Sequence, residues 1–291
     1  MNSVDESTLY VVATPIGNLK DITLRAIDIL KEVDVILAED TRVTAKLLVS
    51  LNIRREQKLV SCHDFNEESR VQQVKEFLDV GKRVALVSDA GTPLISDPGY
   101  KIVANLREDN YKVVPVPGVS AVTAALSAAG LPSNSFMFKG FLSAKKIKRQ
   151  QQIQEFKKNN TTVILYESVH RVEYLLADLE SILPDIDIAL AKELTKRFET
   201  FVNGKPAQVV EFFRSYPEKI KGEFVVIIDC NNIDISDSSS IDQDLLLGAL
   251  LEELPLKKAV KLTADLLKLK KNDIYQKALD LKKDMDLKKN V

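Results

Sequence analysis

In L-V-S-D-A-G-T-P-L-I-S-D-P-G-Y, residues 86–100, an apolar segment gives way to small and turn-forming residues and then to a helix start. The apolar run 84–87 reads as a buried parallel strand. It stops at Ser88-Asp89, and Ala90, Gly91, Thr92 and Pro93 follow. Gly91 permits backbone angles and close approaches that a side chain would forbid. Asp97 reads as an N-cap with Pro98 at the first helical position, and Ile102, Val103 and Leu106 form the inner helix face. A strand, a long loop at its carboxyl end and a helix follow in order. Ligands of open α/β sheets bind at such loops. A tight connection without a ligand is the plainer reading of the same residues.

Upstream, residues 9–13 read as a strand followed by the turn T-P-I-G-N at 14–18, and a helix is predicted over 21–31. The next strand, 33–38, ends in Glu39-Asp40-Thr41-Arg42. A helix over 43–51, a strand over 58–62, a polar loop over 63–68 and a helix through 78 complete the upstream part. Downstream lies a strand over 112–116 and a second small-residue loop, P-G-V-S at 117–120. Ser120 is placed to cap a helix of small residues, 121–129, closed by Gly130. Its free N–H groups point to the rim that holds Gly91. The alternation of strands and helices predicts βαβ units and a parallel sheet.

From 136 the pattern changes. A strand over 136–141 precedes a polar helix, 143–158, bearing Lys145, Lys146, Lys148, Arg149, Lys157 and Lys158. The strand 161–166 ends in E-S-V-H-R at 167–171, and a helix runs on to 182. Strands are predicted over 186–192, 198–203 and 224–229, with a helix over 207–215. This is a mixed α+β pattern. Residues 231–244 are rich in Asn, Asp and Ser, a linker composition. Helical stretches follow over 243–254, 257–267 and 272–283, with Asn272 as a cap. Val260, Ala264 and Leu267 face inward on one helix, and Ile274, Ala278 and Leu281 on the next. Two short basic helices with a tight joint suggest a helix-turn-helix or a plain helical hairpin. The domains expected are 1–118, 119–230, a linker at 231–242 and a helical extension at 243–291.

Composition bounds the class. A chain of 291 residues with 45% hydrophobic content has ample core material for two domains. Nothing in it reads as a signal peptide or membrane span. Cys62 and Cys230 are far apart, as reduced cytosolic thiols are, so a cytoplasmic location is expected. The net charge of −1 hides an asymmetry: from residue 255 on there are 11 lysines against 5 aspartates, leaving 30 basic and 37 acidic residues before it. A basic tail suits an anionic partner, or is a solvated lysine-rich surface.

The loops at 14–18, 88–95 and 117–121 converge on one rim and offer main-chain groups with few charged side chains. No G-x-G-x-x-G or G-x-x-x-x-G-K-S/T is present. The two histidines, His63 and His170, lie in no ligand-spaced cluster, so no metal site is predicted. A neutral-to-cationic organic cofactor fits such a rim better than a phosphate does.

Together, T-P-I-G-N-L (14–19), S-D-A-G-T-P-L-I-S-D-P-G (88–99), P-V-P-G-V-S-A (115–121), Y-E-S-V-H-R (166–171), K-E-L-T-K (192–196) and G-E-F (222–224) closely resemble the ribosomal RNA small-subunit methyltransferase I family of the tetrapyrrole-methylase superfamily. The resemblance covers about residues 9–229, and the final helix pair resembles the family's helix-turn-helix extension. It implies an α/β, two-domain tetrapyrrole-methylase-like (class III methyltransferase) fold, with a parallel-sheet N-terminal domain, a mixed second domain and a small helical extension. It also implies methyl transfer from S-adenosyl-L-methionine to a cytidine 2′-hydroxyl in the decoding region of 16S ribosomal RNA, and a homodimer. Matched by position, Pro15, Gly17, Asp89, Ala90, Gly91, Ile95, Ser120 and Ala121 would hold the cofactor, with Tyr166 and Gly222 from the second domain. Gly91-Thr92-Pro93 stands where tetrapyrrole-acting members usually have G-D-P, which points away from that branch. Ser143 and Lys192 stand where Pro and Arg are common in the ribosomal RNA branch.

A ribose hydroxyl is a poor nucleophile, so a base is expected among Glu167, His170, Glu193 and Lys196; each of these also suits the holding of a phosphate or a loop. Arg42, Lys145, Lys146, Lys148 and Arg149, with Lys257, Lys258, Lys270 and Lys271 in the tail, are the expected RNA contacts. A small-molecule, tetrapyrrole-type methylase and a non-catalytic RNA-binding assembly factor are the alternative functions.

Overall fold

Strands β1 (Thr8–Val12), β2 (Val35–Ala38), β3 (Lys58–Ser61), β4 (Val84–Val87) and β5 (Lys112–Val116) form a sheet in the order β3-β2-β4-β1-β5. All its pairings are parallel. The computed structural model describes residues 4–53, 56–63, 65–231, 243–267 and 269–289. Asp64 of the polar loop lies outside them, as does the expected linker from residue 232 on.

Helices α1 (Leu24–Glu32), α2 (Thr41–Ser50), α3 (Glu67–Asp79) and α4 (Tyr100–Glu108) cover both faces of this sheet. Successive strand residues point to opposite sides. Leu9, Leu37 and Leu86 therefore pack on Val74, Leu78, Ile102 and Leu106. Tyr10, Ile36 and Val87 pack on Ala26, Ile29, Leu30 and Leu48. Burial on both faces is why β2 and β4 are uninterrupted apolar runs.

Asp97 does not cap α4. The cap position is Gly99, at φ 123, where a Cβ would stand 2.6 Å from Leu86 Cδ2. The helix's free donors are met from another element: buried Glu67 Oε1 accepts from the N–H groups of Gly99, Lys101 and Ile102. A carboxylate there also favours the positive end of the helix dipole. Asp97 and Pro98 stay in the loop as a result.

A second sheet holds β6 (Phe136–Gly140), β7 (Thr162–Ser168), β8 (Ile188–Lys192), β9 (Thr200–Gly204) and β10 (Glu223–Asp229), in the order β6-β7-β10-β8-β9. Only β6 and β7 are parallel among these pairs. The small-residue helix α5 (Ala121–Ala128) lies against Ile164, Ala189, Ala191, Val225 and Ile227. Ser120 holds its N-cap position, but the hydroxyl makes no capping bond. Helix α6 (Lys146–Phe156) begins later than expected, and α7 (Val172–Ile182) and α8 (Pro206–Ser215) complete this part. Arg149 faces inward from α6, where its Nε donates to Asp178 Oδ2 of α7 at 2.7 Å. Buried and paired, it is no RNA contact. Both sheets belong to one compact unit ending at Asn231.

The other unit contains α9 (Gln243–Glu253), α10 (Leu256–Leu267) and α11 (Lys271–Lys289). Leu247, Ala259, Val260, Ala264, Ile274 and Ala278 form its core. Asn272 lies within α11 rather than capping it, since Ile274 N–H donates to Lys270 O. Lys257, Lys258, Lys270 and Lys271 are exposed. Among the described residues, no helix is long and apolar enough to cross a membrane.

Candidate active site

The loops after β1, β4 and β5 are tied together by hydrogen bonds. Thr14 and Gly91 exchange backbone bonds, N–H to O at 2.8 and 3.0 Å. Thr14 Oγ1 donates to Ser88 O at 3.2 Å, and Thr92 Oγ1 donates to Val119 O at 2.9 Å. Gly91 sits at φ 83, and a Cβ there would press to 3.3 Å from Ile16 Cγ2. Beside these loops lies a cavity of about 330 Å³, roofed by the ends of β7, β8 and β10. That volume is in the range of small-molecule sites, ~300–1,000 Å³.

Asp89, Ala90, Gly91, Ile95, Ser120, Ala121 and Tyr166 line it. Pro15, Gly17 and Gly222 are not among the lining residues. Gly17 backs onto the turn after β8: its Cβ would stand 2.5 Å from Lys196 Cγ and 2.9 Å from Leu194 O. A Cβ at Gly222, where φ is 80, would collide with the Glu193 carboxylate. These two glycines make room for a strained turn in which Glu193 and Thr195 take φ 51 and 63. Such angles are uncommon for any side chain and unfavourable for a β-branched one. Leu94 and Ser96, at φ 72 and 70, strain the loop after β4 in the same way. Strain of this kind, of order 1–3 kcal/mol per residue, collects at functional sites.

Of the four base candidates, Glu167, Glu193 and Lys196 reach the cavity. His170 is exposed and lies off it. Arg42, although on the surface, gives Nε and Nη2 to the Asp40 carboxylate, which it holds down to about 2. Lys145, Lys146 and Lys148 remain exposed at the start of α6.

The lining is far more acidic than the loop sequences suggest. Glu39, Asp89, Asp97, Glu167, Glu193 and Glu223 all contribute, and among the described residues Lys196 is the one cation in the lining. The acids come from both sheets. Because β10 is antiparallel to β7 and β8, its first residue, Glu223, falls beside Ser168 at the carboxyl end of β7. Phe141 and Val225 also line the cavity, and no motif in the sequence marks them. Among the described residues no group of three or more His, Cys, Asp or Glu is placed to hold a metal ion.

Acids crowded in a partly dry space bind protons more readily than free carboxylates. Burial, reinforced by Glu39, Asp89 and Glu223, pushes Asp97 up to about 6, against a hydrogen bond from Ser88. Burial and the Asp97 charge push Tyr166 up to about 12. Burial also raises Asp89, although the Asp40 N–H donates to it at 3.0 Å. Glu167 is raised by burial too, opposed by the Ser168 N–H at 2.9 Å and by Arg171, whose Nη2 stands 3.4 Å from its Oε2.

The folded Asp97 pKa lies above its unfolded value, so the stability it contributes is present below the unfolded pKa and is lost as pH rises through about 6. Asp97→Asn is expected to raise unfolding free energy at pH 7.5 by about 1–2 kcal/mol. The gain should shrink steadily toward pH 4.5 in urea melts. A gain that does not change with pH would contradict the assignment.

Known proteins resemble this chain in sequence and in fold. The family described as Tetrapyrrole (Corrin/Porphyrin) Methylases matches residues 8–210, and the RsmI C-terminal HTH domain matches residues 237–282. Ribosomal RNA small subunit methyltransferase I of Vibrio cholerae is 46% identical over 275 residues, 94% of each chain. The Escherichia coli protein of the same name is 42% identical over 276 residues, 94% of this chain and 96% of its own. Among solved structures, the cobalamin biosynthetic enzyme cobalt precorrin-4 methyltransferase superposes with a TM-score of 0.56 at 18% identity, covering 76% of this chain and 94% of its own. The uroporphyrin-III C-methyltransferase of Thermus thermophilus gives 0.52 at 19%, covering 76% and 96%. At such identity these two share the fold alone.

Proposed function

The chain belongs to the tetrapyrrole methylase family and, within it, to the ribosomal RNA small subunit methyltransferase I group, and from that premise we propose that it methylates the ribose 2′-hydroxyl of a cytidine in the decoding region of small-subunit ribosomal RNA. The observation that carries this reading is the acid-lined cavity at the carboxyl ends of the parallel sheet. S-Adenosyl-L-methionine, when bound, supplies a methyl group on a positively charged sulfur, open to in-line displacement.

The lining fits that donor. Asp89, Asp97 and Glu223 suit its cationic groups, and Ile16, Leu194, Val225 and the Tyr166 ring offer an apolar wall for a flat base. Ala90, Gly91, Ser120 and Ala121 bring small side chains and main chain close. Holding nucleophile and carbon in line is worth up to ~7–11 kcal/mol. Glu167 is the base we favour. It is 1% exposed, its Oε2 accepts no hydrogen bond, and burial raises its pKa above that of a free carboxylate, against the Ser168 N–H and Arg171. Arg171 steadies the charged form.

Lys145, Lys146 and Lys148 on the main body, and Lys257, Lys258, Lys270 and Lys271 on the helical unit, would take RNA phosphates. The enzyme would act in the cytoplasm, where ribosomal RNA is processed, with a second copy of the chain as partner. Removing residues 242–291 is expected to weaken RNA binding on the order of tenfold at moderate salt and to flatten its salt dependence. S-Adenosylmethionine affinity by calorimetry should not move. Equal RNA affinity with and without the tail would remove that role. The reading as a whole is tested by incubating the protein with S-adenosylmethionine and small-subunit RNA, followed by nucleoside mass spectrometry. A 2′-O-methylcytidine is expected, and transfer to a tetrapyrrole but not to RNA would reverse the assignment.

A further inference from the structure

Phe141 lines the cavity yet leaves 53% of its surface in solvent. The chain spends several contacts on fixing it there. The pairing of β6 with β7 shifts register between Phe138 and Gly140, and Gly140 takes φ 61. An irregularity of this kind bends a strand end and re-aims the side chain that follows. Arg171 Nη2 donates to Leu142 O at 2.5 Å, and Ser143 N–H donates to Gln152 Oε1 at 2.9 Å. Both residues after the ring are thereby pinned. On its inner side the ring meets Tyr166 edge-to-face at 5.8 Å, and Tyr166 meets Phe138 at 4.8 Å.

A rigid, half-wet aromatic ring at the mouth of an acidic cavity is poorly explained by core packing. It is well suited to a flat ligand that arrives from solvent. The next exposed cations along the chain are Lys145, Lys146 and Lys148, so an aromatic face and phosphate-binding charge lie on one short segment. That pairing is the chemistry of single-stranded nucleic acid recognition. To bring a ribose hydroxyl into a recessed cavity, the acceptor nucleotide is splayed out of its stack, and its base then needs a new partner.

Resting on the methyl-transfer reading, we propose that Phe141 is the platform on which the base of the acceptor nucleotide stacks, fixing the position of its ribose in the cavity. Stacking tolerates any base, so the ring positions the nucleotide, and the folded RNA selects it. Arg171 acts through Phe141 as a support, holding the Leu142 carbonyl on one side and the Glu167 carboxylate on the other. Base platform and proton acceptor are thus tied to one guanidinium.

The test compares Phe141→Ala, Phe141→Leu and Phe141→Tyr with the native enzyme on small-subunit RNA. For the Ala and Leu variants kcat/KM for RNA is expected to fall roughly 5- to 100-fold, chiefly through KM, the size of one base–aromatic contact. Tyr, which keeps the flat ring, should restore most of it. The dependence of kcat/KM on salt should keep its slope, because no phosphate contact is lost. S-Adenosylmethionine affinity by calorimetry should change far less than kcat/KM for RNA in all three, since Tyr166 and the acids stay in place. Native-like kcat/KM in Phe141→Ala would overturn the platform while leaving methyl transfer standing. Cofactor affinity falling in step with turnover would assign the ring to the cofactor and overturn it equally. Native enzyme that methylates no RNA would remove the methyl-transfer reading and the platform with it.

Discussion

Glu167→Gln is expected to slow methyl transfer by about 10²–10⁴-fold in single turnover, the usual worth of a positioned base. The substitution keeps the shape of the side chain, and its carbonyl oxygen still accepts from the Ser168 N–H. Cofactor affinity and fold should therefore survive, and the loss should fall on the chemical step. Two properties set Glu167 apart from the other cavity acids. Its side chain is fully enclosed at the cavity wall, and Oε2 accepts no hydrogen bond, its charge being met only by the Arg171 guanidinium at 3.4 Å, so it is free to take a proton once the ribose is seated. Glu193, by contrast, accepts from Lys196 Nζ at 3.0 Å. Burial moves the Glu167 pKa upward, so the native rate should fall on the acid side of neutrality as the carboxylate gains its proton. That limb should vanish in the Gln variant. A single-turnover rate within tenfold of native would shift the role to another acid, and Glu193→Gln and Asp97→Asn run in parallel would show which.

The parallel sheet is legible because its strands are short apolar runs punctuated by Gly, Pro, Ser and Thr, a pattern that few other arrangements produce. The rim is legible for the same reason, since T-P-I-G-N, S-D-A-G-T-P and P-G-V-S each follow a strand. The acid lining is legible only in part. Asp89, Glu167 and Glu193 stand at strand ends that the sequence marks, as does Glu39, but Asp97 and Glu223 join them only because elements of both sheets meet at one cavity. Asp97 shows how a local signal misleads. Asp-Pro is a good helix start, but Glu67 from α3 supplies the missing acceptor and Gly99 fits against Leu86, so the helix opens later and the aspartate is left for the cavity. Thr195 at φ 63 is likewise unreadable, because a β-branched residue argues against the conformation it is held in.

Arg149 is the clearest case of chemistry hidden by composition, and it yields the largest expected change in stability. Among Lys145, Lys146 and Lys148 it reads as one more surface cation, but the helical turn carries it to the inner face beside Ile153 and Phe156. There its side chain and that of Asp178 are each 6% exposed, with Nε donating to Oδ2 at 2.7 Å. Gln150 Nε2 donates to the other carboxylate oxygen at 2.8 Å. Asp178→Ala strands a buried guanidinium and is expected to cost about 3–5 kcal/mol in urea unfolding. Arg149→Met together with Asp178→Leu removes both charges and fills the space, and should recover most of that loss. RNA binding separates the two readings of this residue. In the folded double variant the salt dependence should match native, whereas Lys146→Ala should lower the slope by about one. A lowered slope in the double variant would return Arg149 to the RNA face.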